Sequence, residues 1–489
     1  MKNRIILYGF TAMVVLLNMG CSDWLDVKPK TAVEEDVLFD TEQGFKENLT
    51  GIYLLMTDKE LYGRELTYGI TDILAQRYEP GGGSDISELK FGDNDWYKFP
   101  SVKTEGYVNS IWKNSYKVIA NVNNFLEWAD KNKDKIKTPN YYEIMKGEAL
   151  GLRAFLYFDL LRLYGPIYNT PKGPGSLSLP YRTEFSRDEK SFSTAKDIIA
   201  YIEKDLIEAD TLLAKDPMYI EFPVASDDET LYLDDFLRYR FKRMNRYAVK
   251  ALAARVYMWA GDTYNAARMA KEVIDGKDKD GNNYFTLITD NSNDRIYSSE
   301  LIFSLSVAKF DEQAETDFAI SPYSTSFYIY DKSRLDAMFD ITTDGANDMR
   351  YREGQGFSYS SKSAVSLKYQ QKGAYSFAIE NTIPLIRLSE MYYIMSECET
   401  DLAKSANWLS QVRAARGIDD VKSFKDTKEK EYNIMKEYRK EFYAEGQLWY
   451  YYKRLAYKTF QNCPMTIDMT ESNYRFSIPD NEKEFGKVN

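Results

Sequence analysis

The chain has no histidine in 489 residues, so any reactive chemistry must come from other side chains. Ser–His and Cys–His nucleophiles, and zinc hydrolases with histidine ligands, are therefore excluded. Carboxylates are plentiful, with 75 Asp and Glu, and two carboxylates at a suitable separation can hydrolyse a glycosidic bond. Close pairs are expected from this abundance alone. The residue types leave two interpretations, a glycosidase or a protein that binds without catalysis.

Aromatic side chains in polar surroundings are the residues that can bind a sugar, because the C–H faces of a sugar ring stack on aromatic faces. Trp96 follows the polar run 92–95, which offers no evident driver for burial. We therefore predict Trp96 and Tyr97 as stacking platforms, with Asp72 and Arg77 as polar partners. The alternative is that Trp96 pins its own loop to the body of the protein.

A second group of candidate ligand-binding residues lies in the middle of the chain. Tyr323, Phe327 and Tyr328 are aromatic residues in a segment with little helical period, where packing is the competing explanation. Five other tryptophans fall in helical patterns and are predicted to be core residues: Trp112, Trp128, Trp259, Trp408 and Trp449. No glycine-rich phosphate loop occurs, and we predict no catalytic residue, no cofactor and no metal.

The N-terminus has the pattern of a secretory signal. A basic start precedes an apolar run over residues 5–17, which is shorter than the roughly 20 residues that a membrane-spanning helix needs. Cys21 follows a glycine, as at a lipoprotein acylation site. We predict a signal peptide over residues 1–20, a lipid on Cys21 and a tether over residues 21–40; a signal peptide cut elsewhere is the alternative.

Charge and cysteine usage narrow the class of partner. The net charge is −11 and the pI is about 5.0, which argues against a nucleic-acid partner because phosphate binding depends on surplus lysine and arginine. Besides Cys21 the chain has only Cys398 and Cys463, too few for a disulfide framework. Whether these two pair is left open.

The elements that must position these residues are predicted to be helices. Apolar residues recur at spacings of three and four, which indicates amphipathic helices. These cover about residues 41–56, 106–128, 141–164, 194–213, 246–259, 386–402, 405–416 and 429–454, the last being one long or kinked helix.

Two pairs of these helices point to a repeat architecture. The run 261–267 resembles the inter-helix turn of a tetratricopeptide repeat, and a similar helix pair recurs near residue 400. We predict a mostly α fold of degenerate repeats stacked into a superhelix, with an ordinary helical bundle as the alternative. Residues 285–385 are predicted to be a loop-rich insertion with short strands, such as 301–307.

Four blocks of sequence carry a resemblance to a known family. They read CSDWLDVKP from Cys21, GEALGLRAFLYFDL from Gly147, LSEMYY from Leu388 followed by VRAARG, and EYRKEF from Glu437. In this order they resemble the SusD/RagB lipoproteins of Bacteroidetes nutrient-uptake systems. The resemblance implies four tetratricopeptide-like units, surface exposure and a SusC-like TonB-dependent transporter as partner. It also implies ligand residues in the loop near Trp96 and in the mid-chain insertion.

Together these features predict a lipoprotein of the outer membrane whose single helical domain covers residues 41–489. We expect it to capture a nutrient, with a glycan as the favoured ligand, and to perform no catalysis. Three alternatives remain: a lipid-anchored glycoside hydrolase, a scaffold that contacts only proteins, and a protein that captures a non-glycan nutrient such as peptides.

Overall fold

The computed structural model describes residues 35–78, 94–99, 101, 104–218, 235–319, 327, 329, 331–360, 362–370 and 379–485. The predicted signal peptide, Cys21, Tyr323 and Tyr328 lie outside these residues.

The described chain is mostly helical. In chain order the α-helices are α1 (Glu35–Leu38), α2 (Glu42–Met56), α3 (Ile70–Leu74), α4 (Glu105–Lys131), α5 (Tyr141–Tyr164), α6 (Ala195–Leu212), α7 (Arg246–Ala260), α8 (Thr263–Ile274), α9 (Phe310–Asp317), α10 (Lys332–Phe339), α11 (Leu388–Cys398), α12 (Leu402–Ala415), α13 (Thr427–Glu441), α14 (Gln447–Arg454) and α15 (Asp480–Phe485).

Short antiparallel sheets join parts of the chain that are distant in sequence. The strands are β1 (Leu177–Leu179), β2 (Ser193–Thr194), β3 (Leu301–Ser306), β4 (Phe357–Ser360), β5 (Ser363–Ser366) and β6 (Thr382–Arg387). Strand β1 pairs with β2, β3 with β6 and β4 with β5. The pairing of β3 with β6 brings together the beginning and the end of the segment that was predicted to be loop-rich. It also confirms the strand predicted at 301–307.

Side-chain caps fix the helix pair α7–α8. The Asn245 side chain accepts a hydrogen bond from Ala248 N at 2.9 Å where α7 begins. Gly261 ends α7 with a left-handed backbone (φ 81°), and the Asp262 side chain then accepts from Asn265 N at 3.0 Å to begin α8. Such caps each stabilise a helix by about 1 kcal/mol. The turn that the sequence indicated therefore forms where it was predicted.

Helices that are neighbours in sequence pack against one another. Helix α5 packs against both α4 and α6, α7 packs against α8, and α11 packs against α12 and also reaches back to α8. Helix α5 approaches its neighbours closely at two glycines. A Cβ at Gly147 would lie 2.7 Å from a Leu213 carbon, and one at Gly151 would lie 2.5 Å from a Met244 carbon. This packing confirms the predicted mostly helical fold of paired helices.

Two helix predictions differ from the structure. The chain forms strand β6 before α11 begins, so the helix predicted from residue 386 starts later. The long or kinked helix predicted over 429–454 is interrupted, because the chain forms α13 and α14 with residues 442–446 between them. Ala444 (φ 63°) and Gly446 (φ 71°) adopt left-handed backbone at this break, and a helix cannot continue through such residues.

The buried apolar side chains form one contiguous cluster that runs from α2 to the C-terminal residues. Among the described residues, none of the helices has the length and apolarity to cross a bilayer. Cys398 and Cys463 are not joined by a disulfide.

The interior also contains a network of buried ion pairs. Glu441 on α13 accepts hydrogen bonds from Arg387 Nη1 and Arg416 Nη2, both at 2.6 Å, and from Arg350 Nη1 at 2.9 Å. Glu300, just before β3, pairs with Arg416 Nη1 at 2.8 Å. Burial opposes ionisation of Glu441, but the three guanidinium groups hold its pKa well below the usual range. The network ties the mid-chain insertion to the C-terminal helices.

Candidate ligand-binding region

The predicted site residues of the first group converge on the short helix α3. All five residues of α3 are buried, and the helix packs against α14. Asp72 lies within α3, and Arg77 lies three residues after the end of that helix. The Tyr97 hydroxyl donates a hydrogen bond to Leu74 O at 2.7 Å. The structure therefore brings together two segments that are more than fifteen residues apart in sequence.

Asp72 holds the start of α14 in place. Its Oδ1 accepts a hydrogen bond from Gly446 N at 3.1 Å, and the Tyr78 hydroxyl lies 3.4 Å from its Oδ2. The side chain has no exposed surface, and burial raises the pKa of Asp72 to about 7 although the positive charge of Arg77 opposes the shift. Because its carboxyl is fully buried, Asp72 contacts other parts of the fold and not the solvent.

Arg77 is also turned into the protein. Its Nη2 donates to Arg439 O at 2.6 Å, and its guanidinium lies over the Tyr443 ring at 4.9 Å from the centroid. Both contacts are to the C-terminal part of the chain, so Arg77 links the α3 region to the end of α13.

The expectation that nothing drives burial of Trp96 is wrong. The Trp96 ring is 5% exposed and lies 6.3 Å from the Tyr107 ring of α4. Its neighbour Tyr97 packs against Trp449 of α14 at 6.2 Å. These apolar partners come from distant parts of the chain and supply the driving force for burial. Ligand contact by Trp96 and Tyr97 stays a prediction, and it requires neighbouring residues to move because the rings are covered.

The mid-chain insertion reaches the same region. Phe327 packs against Tyr78 with ring centroids 4.7 Å apart, and against Tyr68 at 5.5 Å. The other two predicted residues of the insertion, Tyr323 and Tyr328, lie outside the described residues. The described part of the chain thus joins the two regions that were predicted to supply ligand residues.

Seven buried aromatic rings pack against one another in this region, and the centroids of contacting rings lie between 4.7 and 6.1 Å apart. We refer to these rings as the aromatic cluster, which consists of Tyr68, Tyr78, Phe310, Phe318, Phe327, Tyr369 and Tyr443. Edge and tilted contacts of this kind add stability beyond that of buried area and hold each ring in one orientation.

A polar group lies on the aromatic cluster. The Arg64 guanidinium stands over the Phe327 ring at 5.1 Å from the centroid. Its Nη1 is 2.9 Å from Glu65 Oε1 and its Nε is 3.6 Å from Asp317 Oδ2, while the Tyr68 hydroxyl donates to the same Asp317 oxygen at 2.8 Å. With 25% of its side chain exposed, Arg64 is more accessible to solvent than Glu65 or Asp317.

Gln313 completes the polar group, and its Nε2 donates to Gly63 O at 3.0 Å. We refer to Arg64, Glu65, Tyr68, Gln313 and Asp317 as the Arg64 cluster. Burial raises the pKa of both Glu65 and Asp317, and the positive charge of Arg64 opposes each shift. Arg64 and Gln313 are the members of the cluster that are not fully buried, and their guanidinium and amide groups can donate hydrogen bonds to a polyhydroxylated ligand.

The sequence prediction missed all five members of the Arg64 cluster. Arg64 and Glu65 lie between Tyr62 and Tyr68, in a segment that the sequence prediction did not select. Gln313 and Asp317 lie on α9, a helix inside the segment predicted to be loop-rich. Their proximity to Arg64 depends on chain folding over more than 240 residues, and no local pattern encodes it.

Models of two families match adjacent parts of the chain. A model described as "Starch-binding associating with outer membrane" matches residues 23–225, and a model described as "SusD family" matches residues 234–485. Among curated proteins, SusD-like protein P25 of Formosa agariphila is 26% identical over 175 residues. That match covers 34% of this chain and only 32% of the relative.

Solved structures share the fold along most of the chain. A SusD superfamily protein from Bacteroides thetaiotaomicron has a TM-score of 0.68 at 21% identity, covering 91% of this chain and 98% of its own. A SusD-like carbohydrate binding protein from Bacteroides vulgatus has a TM-score of 0.67 at 17% identity, covering 91% and 96% respectively. These likenesses confirm the predicted tetratricopeptide-like helical fold. Since the SusD family model alone matches more than half of the residues, the chain belongs to the SusD/RagB family.

Proposed function

We propose that the protein is a cell-surface lipoprotein that captures a glycan and passes it to a SusC-like TonB-dependent transporter in the outer membrane. The observation that carries this proposal is the Arg64 cluster, whose partly exposed guanidinium and amide groups can donate hydrogen bonds to the hydroxyls of a sugar. The description of the first family model as starch-binding and associated with the outer membrane supports the same ligand class and location.

Weak binding fits this role. An aromatic contact with a ligand adds about 0.5 to 1.5 kcal/mol beyond buried area, so two or three such contacts give about 1 to 4.5 kcal/mol, at most close to the roughly 4.1 kcal/mol of a millimolar complex. A protein that must release its cargo to a transporter gains from a short-lived complex, because tight binding would slow the transfer.

Binding is favoured over hydrolysis because the carboxyls in the Arg64 cluster are already hydrogen-bonded or ion-paired within the protein. A glycosidase needs one carboxylic acid to donate a proton and a second carboxylate to attack or to activate water. Glu65 accepts hydrogen bonds from Arg64 Nη1 and Ile70 N, so both of its oxygens are engaged. Asp317 is engaged by Tyr68 and Arg64. Release of reducing ends from a bound polysaccharide would favour the hydrolase instead.

The substitution Arg64→Met tests the proposal. It removes the guanidinium but keeps an unbranched apolar side chain over Phe327, and a charged hydrogen bond is worth about 1.5 to 3 kcal/mol. We expect at least about tenfold weaker retention of soluble polysaccharides in affinity electrophoresis. The thermal unfolding temperature should also fall, because Glu65 and Asp317 lose their compensating charge, so retention is measured well below that temperature.

The control is Arg268→Met, which removes an exposed arginine from α8, away from the Arg64 cluster. Equal retention by the wild type and both variants would exclude the Arg64 cluster from the binding site. If the wild type retains no polysaccharide but binds peptides, the ligand class in the proposal is wrong and the non-glycan alternative takes its place.

A further inference from the structure

A concave surface lies between α4, α5, α6 and the connection that follows β1. This groove has a volume of about 760 Å³, which is within the range of small-ligand sites. It shares no residue with the Arg64 cluster or the aromatic cluster. The sequence prediction did not identify it, because its walls come from three helices and a connecting segment.

Two aromatic rings in the groove are exposed to solvent. Tyr201 on α6 is 43% exposed, and Phe185 in the connection is 49% exposed. Most aromatic rings in the described part of the chain are buried, so two exposed rings in one groove stand out as an apolar surface available for contact. Aromatic faces of this kind are what a sugar ring requires for stacking.

The Tyr201 ring is held in place from behind. Its centroid lies 5.0 Å from that of Tyr181, which in turn stacks on Tyr157 at 3.9 Å. The Tyr157 hydroxyl accepts a hydrogen bond from Arg182 N at 2.6 Å and so fixes the start of the connection. Ligand binding therefore does not have to order this ring first, which lowers the entropic cost of association.

The floor of the groove is a rigid ion pair. Arg153 donates to both oxygens of Asp205 at 2.7 Å, and the Tyr181 hydroxyl donates to Asp205 Oδ2 at 2.7 Å. Asn123 Oδ1 accepts from Arg153 Nη1 at 3.0 Å. The polar groups of the floor satisfy one another, and the groove keeps its shape without a ligand.

The rim supplies accessible hydrogen-bonding groups. Lys146 Nζ lies 2.8 Å from Asp130 Oδ1 and 3.5 Å from Glu208 Oε1, and both carboxylates are exposed. Hydrogen bonds from Lys146 and Tyr142 lower the pKa of Asp130 against the opposing effect of burial, so this carboxylate is ionised at neutral pH and accepts hydrogen bonds from hydroxyl groups.

The charge of the groove restricts the ligand. Its lining contains five carboxylates but only three cationic side chains. The excess of negative charge repels uronic acids and sulfated sugars, whereas neutral sugars experience no such repulsion.

We propose that this groove is a second saccharide site, specific for neutral sugars. The inference rests on the proposed function, because it assumes that the ligand is a glycan. It adds to that function the location of a second site and the charge of the sugars bound there. Two weak sites on one protein can hold one long polymer more tightly than either site alone, since binding at one raises the effective concentration at the other.

The test uses the double substitution Tyr201→Ala with Phe185→Ala in the full mature protein. The control is Tyr264→Ala, which removes a ring that is 77% exposed on α8 and outside the groove. The probes are laminarin as a neutral glucan and polygalacturonate as an acidic polymer, measured by affinity electrophoresis and by titration calorimetry. We expect each lost ring to weaken laminarin binding roughly two- to twelvefold, with little retention of polygalacturonate.

The outcomes separate the two proposals. Unchanged laminarin binding by the double variant, in a wild type that does bind it, overturns the groove site and leaves the proposed function intact. No binding of any saccharide by the wild type overturns the proposed function itself. Stronger retention of polygalacturonate than of laminarin overturns the assignment to neutral sugars. Unchanged saccharide binding with loss of a co-purifying transporter assigns the groove to a protein contact instead.

Discussion

At the scale of single residues, Asp72 is a carboxyl whose ionisation the fold opposes. Burial raises its pKa to about 7, whereas in the unfolded chain the pKa is about 3.9. Because the folded value is the higher one, the stabilising contribution of Asp72 is complete only below the unfolded pKa. It is lost as the pH rises from about 4 to about 7.

The substitution Asp72→Asn removes this titration and keeps an oxygen that can accept from Gly446 N. Between pH 5 and pH 8 we expect the free energy of unfolding of the wild type to fall, relative to the variant, by roughly 1 to 4 kcal/mol. Urea unfolding of both proteins at the two pH values measures the difference. Parallel pH dependence of the two proteins would show that Asp72 does not titrate in this window.

Residue types in the sequence predicted which segments meet better than they predicted exposure. The segments around Asp72, Tyr97 and Phe327 do come together, as expected for residues that share a site. Burial of Trp96 was not predictable, because its driving force comes from Tyr107 and, through Tyr97, from α14. Sequence neighbours account for only part of the surroundings of a residue, whereas its exposure depends on every residue that packs around it.

At the scale of elements, one buried carboxylate connects several parts of the fold. Glu441 on α13 binds Arg387 at the end of β6, Arg416 at the end of α12 and Arg350 in the insertion. The pKa of Glu441 is held well below the usual range, so its stabilising contribution is complete above about pH 4.3 and is lost on acidification. These elements therefore depend on one charged group for their mutual position.

The substitution Glu441→Gln leaves three buried guanidinium groups with too little compensating charge. Breaking a buried pair in this way costs about 3 to 5 kcal/mol, and we expect the free energy of unfolding in urea to fall by that amount. The control Glu431→Gln, at an exposed position of the same helix, should change it by less than about 0.5 kcal/mol. Similar losses in the two variants would mean that the network contributes no more than a surface charge.

Helix positions were predictable where one face of the helix meets the core. The periodic segments beginning at residues 41, 141 and 194 form α2, α5 and α6 with nearly the predicted bounds. The break between α13 and α14 was not predicted, because the apolar period continues across it. Gly446 adopts its left-handed backbone beneath Thr67 and Thr71, where a Cβ would lie 2.5 Å from an oxygen of either residue. That constraint comes from α3 and its flank, far away in sequence.

At the scale of the whole molecule, paired helices form a scaffold that carries two chemically different surfaces. The Arg64 cluster lies where the N-terminal segment meets the insertion, and the groove lies on the first helix pairs. The entire chain has no histidine, so proton transfer by an imidazole is excluded. A polymer that reaches both surfaces would dissociate more slowly than a short sugar.

The proposed role of this scaffold in uptake requires attachment to the membrane, and Cys21, the residue predicted to carry the lipid, lies outside the described residues. Each buried methylene of an acyl chain contributes about 0.8 kcal/mol, and two or more chains give stable anchoring where a single chain binds only reversibly. We expect Cys21→Ala to abolish incorporation of an alkyne-labelled fatty acid and to remove the protein from the outer surface of intact cells, as measured by antibody labelling. The control Cys463→Ser changes a cysteine in the C-terminal part of the chain and should keep both signals. Fatty-acid labelling of the Cys21→Ala variant, or no labelling of the wild type, would show that anchoring does not use this residue. The proposed transfer to a membrane transporter would then require another means of keeping the two proteins together.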